Sequence, residues 1–251
     1  WGTAVGRNSV VNGQSAVALG NSYSGGTDSF AVGIDTNSSS YGATGAKSRA
    51  IGEYSKSSAN NSTALGYIAL ASAQYSMSLG HNSTASATYA HANGYEALAD
   101  KIGKYSYASG KFAAQGDAQG GQFILRADTT DATAEALTTN NATAAATNQV
   151  VLPNNSVYGF TGTIIARENS AQTNDFAVWE VKGGAVRAAS AATTALGSYN
   201  INKISESTGA AAWAIAISAD TTNGAIAFTV TGEASHSIRW VATINTTEVT
   251  Y

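Results

Sequence analysis

The chain has 251 residues, room for one or two domains, with a formal net charge of −3, no Cys, one Pro, one Met, 26 Gly and 12% charged residues. Without Cys there is no disulfide scaffold, thiolate zinc site or cysteine nucleophile; scattered Lys and Arg leave no footprint for nucleic acid; and no apolar run nears the ~20 residues of a membrane span. The 43% apolar fraction is dominated by Ala, which buries too little area at roughly 25 cal/mol per Å² to drive collapse, so a core in the Ala-rich stretches is thin. The start at Trp1 is not a signal peptide and reads as a processed or partial chain. With 4 Trp, 12 Tyr and 6 Phe the chain is not a disordered one.

A seven-residue register runs through the first half, marked by Gly45, Gly52, Ala59, Gly66, Ala73, Gly80, Ala87 and Gly94, with small residues three and five places after each. The same unit occurs at Gly6, Gly13 and Gly20 and at Gly103 and Gly110, with phase slips around residues 21–44 and 95–103. A coiled coil is excluded, because the repeating positions are Gly, Ser and Ala where large apolar side chains are required. Alternate heptads differ in kind: one set carries Ile51, Leu65, Leu79 and Asn93 six places past the marker, the other Ser58, Ser72, Ser86 and Asp100. The unit is therefore a coil of fourteen residues with two short strands, small residues inside and Gly at the corners. Residues 6–116 give about eight coils and a rod of roughly 40 Å. Its Ile/Leu column is a stripe that soluble monomers avoid exposing, so Ile51, Leu65 and Leu79 are expected to pack about the axis of a homo-oligomer, most simply a trimer.

The runs Asn8-Ser-Val, Ser15-Ala-Val-Ala-Leu-Gly20, Asn61-Ser-Thr-Ala-Leu-Gly66 and Ser76-Met-Ser-Leu-Gly80-His-Asn-Ser resemble the head repeats of YadA-type trimeric adhesins. The resemblance covers residues 1 to about 117 and departs at Asn93, Asp100 and the irregular 21–44 stretch. It implies a left-handed parallel β-roll of three chains wound together, serving surface adhesion in bacterial adhesins or phage fibres.

Beyond Gly120-Gly121 the register stops. Gln122–Ala127 reads as a strand, and Asp128–Gln149 mostly as loop, with room for a short helix. Strands then recur about every ten residues, near Val150–Leu152, Tyr158–Glu168, Phe176–Lys182, Ala185–Ala189, Tyr199–Ile204, Trp213–Ala219, Ala225–Thr231, Ser237–Ile244 and Glu248–Tyr251. Gly183-Gly184 and Asp220–Gly224 read as hairpin turns. Many antiparallel strands with one apolar face predict a β-sandwich of Greek-key or jelly-roll type, with Trp179, Trp213 and Trp240 in its core. The domains are thus 1–117, the roll; 118–149, a connecting segment with one strand; and 150–251, the sandwich knob. Val151-Leu-Pro-Asn-Asn-Ser156, Ser218–Gly224 and Arg239–Tyr251 resemble the C-terminal domain of many bacteriophage tail-fibre and minor structural proteins. That resemblance spans roughly residues 120–251 and implies a virion fibre ending in a knob, where receptor contact is usual.

His81, His91 and His236 have no second ligand at metal spacing. His91 shares a column with Thr63 and Met77, so threefold symmetry could gather an ion, although a His facing solvent or a neighbouring chain explains it better. Asp128, Asp131 and Glu135, or Asp175 and Glu180, are the acid groups that glycan cleavage would need, and a polar loop explains the first group equally well. Asp220 with Asn223 lacks calcium-loop spacing and fits a turn. Tyr75 and Tyr89 occupy equivalent places in adjacent coils, and Tyr54, Tyr67, Tyr95, Tyr105 and Phe112 lie at or beside corners. Such rings suit a sugar or protein receptor, and equally a structural ladder.

The expected protein is the distal, receptor-binding part of a trimeric bacteriophage tail fibre, with Tyr75, Tyr89, Tyr67 and Tyr95 at the receptor. It is expected to sit in the virion, to be no enzyme, and to hold no cofactor or metal. Its partners would be two further copies, a host-surface glycan or protein, and tail or baseplate proteins bound through a segment preceding Trp1. Neither nucleic acid nor membrane insertion is expected. The alternative is a bacterial trimeric surface adhesin or structural extracellular filament; a depolymerase comes third.

Overall fold

Fourteen-residue periodicity with small inward residues becomes a β-solenoid in the computed structural model, which describes residues 1–169 and 174–251. The described residues are all-β, without an α-helix. Contacts divide the chain into two units, Trp1–Gln119 and Gly120–Tyr251.

In the first unit, eight strands from Thr3–Val5 to Tyr105–Ser109 pair in parallel, one per coil. A second parallel sheet runs from Val10–Val11 to Leu98–Ala99. Between the sheets lies a column of Ala18, Ala31, Ala50, Ala64, Ser78, Ala92 and Ser106, all fully buried. Larger side chains would force the sheets apart, so the small residues set the width of the coil. The interior serines are satisfied by pairing hydroxyls across the coil, Ser57 with Ser62 at 2.6 Å and Ser78 with Ser83 at 2.8 Å.

The expected slip at 21–44 is present: Leu19 pairs with Val32 and Val32 with Ile51, offsets of 13 and 19 residues in place of 14. The slip at 95–103 is not, because His91–Tyr95 pairs with Tyr105–Ser109 at the regular offset. Lys101 stands where the marker would be small, and Gly103, at φ +68°, takes the corner that Asn61, Tyr75 and Tyr89 take in earlier coils. The corners bear out the expected glycines in part: Gly52, Gly66, Gly80 and Gly94 hold φ between +99° and +136°. Their left-handed residues are mostly not Gly: Asn61, Tyr75 and Tyr89 follow one edge at φ +58° to +59°, and Tyr54, Ile68, Asn82 and Glu96 the other at +48° to +66°. The glycines serve close approach: a Cβ on Gly66 (φ +136°) would stand 1.9 Å from the Gly80 carbonyl oxygen.

In the second unit, the long strands Ala118–Thr129, Ile238–Thr250, Ser156–Glu168, Phe176–Arg187 and Thr194–Glu206 lie side by side in that order. A smaller sheet has Ala225–Thr231 at its centre, paired antiparallel with Ala214–Asp220, Ala134–Ala136 and Val150–Val151. Both sheets contribute to one core containing Phe123, Phe160, Ile164, Trp179, Trp213, Phe228 and Trp240. Trp240 stacks on Trp179 at 5.6 Å between centroids and donates its indole N–H to Thr129 at 2.9 Å. The turn at Asp220–Gly224 joins two antiparallel strands as expected.

Gly183-Gly184 is not a turn. It lies inside Phe176–Arg187, which pairs on both flanks, with a bulge between Gly183 and Ala185. A Cβ on Gly183 would meet the Tyr199 Cβ at 2.6 Å and the Phe160 ring at 2.8 Å. Glycine here admits neighbouring side chains and a bulge, where the sequence suggested a reversal. Likewise 237–244 and 248–251 are one strand, since Ser156–Glu168 pairs with it unbroken from Glu168↔Ile238 to Ser156↔Thr250.

Candidate functional site

The repeat stacks equivalent residues of adjacent coils about 4.8 Å apart, which is ring-stacking distance. Tyr75 and Tyr89 lie parallel, 5.2 Å between centroids and 4° between planes, and are 46% and 61% exposed. Their column ends there, because the next coil places Gly103 at the equivalent corner. On the other edge, Tyr41, Tyr54, Tyr67, His81 and Tyr95 form a continuous rail with centroid separations from 4.7 to 6.2 Å. His81 is thereby a member of the ladder, between Tyr67 and Tyr95. The Asp35 carboxylate, and after it Glu53, push the Tyr54 phenol above its usual range. The structure thus separates the four sequence-named tyrosines onto two columns, Tyr75 with Tyr89 and Tyr67 with Tyr95.

Ile51, Leu65 and Leu79 stand in register on the outward side of their sheet, with Leu65 43% exposed. Val32 extends the column at one end; Asn93 and Tyr107 follow at the other. Beside it, Thr63, Met77, His91 and Tyr105 form a parallel column. His91 meets Tyr105 edge-on at 5.1 Å, its Nε2 is buried without a hydrogen-bond partner, and burial pushes its pKa down. His236 pairs with Glu168 at 3.1 Å.

Of the acid groups, Asp128 and Glu135 line one concavity of about 410 Å³ with Asn141. Asp128 accepts from Asn141 Nδ2 at 3.0 Å and faces Arg239 Nε at 3.5 Å. Asp175 is engaged elsewhere, accepting from Ser207 Oγ at 2.6 Å. The Asp220 oxygens accept from the Thr222 and Asn223 N–H groups and from Asn223 Nδ2. The turn reading therefore accounts for Asp220 and Asn223 without an ion. Among the described residues there is no cluster of three metal-ligating side chains and no helix long and apolar enough to cross a membrane.

Sequence reasoning missed the outward face of the five-stranded sheet. Two adjoining concavities of about 580 and 550 Å³ share Thr161, Lys182, Asn200 and Asn245. The cross-strand register sets two polar rows there: Asn245, Thr161, Lys182 and Asn200 in one, Thr243, Thr163, Glu180 and Asn202 in the next. The signal was present as alternation in Thr161/Thr163, Asn200/Asn202 and Thr243/Asn245. Its meaning depended on which strands lie together.

Residues 2–22, 43–67 and 71–98 match the YadA head domain repeat. A search of curated proteins gives no match. Among solved structures, the tailspike gp49 of Acinetobacter baumannii bacteriophage Fri1, a capsular polysaccharide depolymerase, aligns at 11% identity and TM-score 0.33, over 92% of this chain and 39% of that one. The Acinetobacter phage vB_ApiP_P1 tailspike aligns at 12% identity and TM-score 0.30, over 99% and 47%. The Acinetobacter baumannii phage AM24 tailspike aligns at 9% and 0.26, over 97% and 47%. The chain spans less than half the length of each of these tailspikes. One expectation is corrected by them: a neighbour named as a depolymerase removes the ground for calling this chain no enzyme.

Proposed function

We propose that the chain is the receptor-binding part of a trimeric bacteriophage tail fibre or spike, carried in the virion and directed at a host-surface glycan or protein. In this reading the roll is left-handed, three copies pack along Ile51, Leu65 and Leu79, and the second unit is a two-sheet sandwich knob. The YadA head repeats support a trimeric adhesin role. The observation that carries the reading is the pair of outward aromatic columns on the coil, where Tyr75 and Tyr89 stack with 46% and 61% of their surface open. Three identical weak sites on one fibre would gain about 10²–10⁴ in avidity. Host adsorption by the Tyr75→Ala/Tyr89→Ala protein tests it: adsorption falls while the fold persists, and unchanged adsorption removes these residues from the site.

A second reading rests on the concavity that brings Asp128 and Glu135 together. Paired carboxylates on a glycan would support hydrolysis. Incubation with host capsule should then release new reducing ends, and Asp128→Asn should abolish them; capsule left intact overturns this reading.

A further inference from the structure

Tyr75 and Tyr89 spend one ring face each on their mutual contact, and the two remaining faces end differently. Along this edge the Tyr75 N–H donates to the Asn60 carbonyl at 3.2 Å, Tyr89 to Gln74 at 3.2 Å and Gly103 to Thr88 at 3.0 Å, so the backbone continues unchanged for one coil past Tyr89. All three corner residues are left-handed, at φ +58°, +59° and +68°. On the far side of Tyr75 the corner carries the Asn61 side chain; on the far side of Tyr89 it carries only the exposed backbone of Gly103. Tyr89 is accordingly the more open of the two, 61% against 46%. A ring held at the level of Gly103 would lie one coil rise, about 4.8 Å, from Tyr89, which is stacking distance. The flanking corners use Asn61 and Gly103, which tolerate the left-handed backbone, whereas Tyr75 and Tyr89 bear its strain. Strain of this kind gathers where a side chain is needed for binding.

We propose that the Tyr89 face above Gly103 is a saccharide subsite, and that Tyr75 is a positioning residue which backs the Tyr89 ring without touching the ligand. The inference rests on the receptor-binding reading above and narrows it to a sugar ring at one end of one column. A pyranose has a flat C–H face and a rim of hydroxyls. The flat face lies on the Tyr89 ring, in the place that the next coil would fill if its corner carried another tyrosine. The rim meets the polar side chains of this edge, Thr88 and the exposed Gln74, which precede and flank Tyr89. Asp100 and Lys101, just before Gly103, are paired with each other, so the surroundings match hydroxyl groups better than a charged ring.

Gly103→Tyr tests the proposal, because it extends the ladder over the subsite on a backbone that is already left-handed. Binding to polysaccharide extracted from host cells is measured for the full chain, for Gly103→Tyr and for Asn61→Tyr, with circular dichroism following the fold. Gly103→Tyr should weaken binding at least about tenfold with the spectrum unchanged. Asn61→Tyr, which covers the opposite end of the pair, should stay within about twofold of wild type. A folded Gly103→Tyr chain that binds like wild type, or a loss confined to Asn61→Tyr, overturns the proposal. Where Gly103→Tyr fails to fold, the comparison of Tyr89→Phe with Tyr89→Leu decides the same point: Phe keeps the ring face and the binding, Leu loses both, and equal binding counts against the subsite. Host adsorption that survives periodate oxidation of the cell-surface sugars but not protease treatment overturns the saccharide assignment. Unchanged adsorption of the Tyr75→Ala/Tyr89→Ala chain removes the underlying reading, whereas adsorption lost there and kept in Gly103→Tyr removes this inference alone.

Discussion

Gln119 ends one sheet of the roll by standing in for the strand that would follow Leu98: its Oε1 accepts from the Leu98 N–H at 2.9 Å and its Nε2 donates to the Leu98 carbonyl at 3.0 Å. In earlier coils the same backbone N–H is taken by the next turn, as Thr84 donates to the Ala97 carbonyl at 2.8 Å. A solenoid has unpaired backbone groups at each end, and a side-chain amide is the one group that presents a donor and an acceptor at peptide-like spacing. Gln119→Ala should therefore cost about 1–3 kcal/mol, the range for leaving a buried polar group unsatisfied. Gln119→Glu should cost more, since a carboxylate would face the Leu98 carbonyl. Accelerated amide exchange at Leu98 and Ala99 is the readout; protection equal to wild type would show that the cap is idle.

The glycine column separates two kinds of constraint. Gly66→Ala would set a Cβ 1.9 Å from the Gly80 carbonyl oxygen, whereas a Cβ on Gly20, at φ +60°, meets nothing within 4 Å. Gly20→Ala should cost only the left-handed backbone strain, roughly 1–2 kcal/mol. Gly66→Ala must also force adjacent coils apart, and should reach about 3 kcal/mol or more. Denaturation monitored in the roll measures both, and equal losses would contradict the steric account.

The roll was legible because a solenoid reads each position at the same place in every coil, so Gly45 to Gly94 and the column Ile51, Leu65, Leu79 appear as periodicity. Its end was less so: Lys101 broke the marker while the backbone kept its register. Left-handed Tyr75 and Ile68 could not be read from propensity, because stacking between coils overrides the local preference that favours Gly or Asn. In the second unit, alternation located the strands, and Trp179, Trp213 and Trp240 are core residues as expected. What failed was continuity. Gly183-Gly184 looks like a turn in isolation and becomes a bulge once both flanking strands are present. The polar rows around Lys182 were hidden for the same reason: they are made by long-range register between four strands.

Tyr75 and Tyr89 each hold φ near +58° and share a parallel ring contact. A double-mutant cycle should give a coupling of about 0.5–1.5 kcal/mol, the value of an aromatic pair beyond its buried area. Replacing Tyr89 by Gly should be less damaging than replacing it by Ala, by up to about 1–2 kcal/mol, since Gly alone relaxes the left-handed backbone. A coupling near zero, together with lost host adsorption, would assign the pair wholly to recognition.

Acidification should act in two separate steps. Burial depresses the pKa of His91, so below its ordinary value of about 6.5 the unfolded chain takes up a proton that the folded chain refuses, and stability falls until the folded-state value is passed. Asp117 and Asp220 respond lower. Burial pushes each upward, but three backbone N–H groups on Asp117, and the Asn223 side chain with the Asn223 and Thr222 N–H groups on Asp220, hold both below the usual carboxylate range. Their contribution is complete above the unfolded value of about 3.9 and is lost as pH falls through the folded one. His91→Phe, which keeps a ring beside Tyr105, should abolish the step below pH 6.5 and leave the acidic one. Asp220→Asn should shrink the acidic step and leave the first. Denaturation midpoints followed from pH 8 to pH 2 test the assignment, which fails if the upper step survives in His91→Phe.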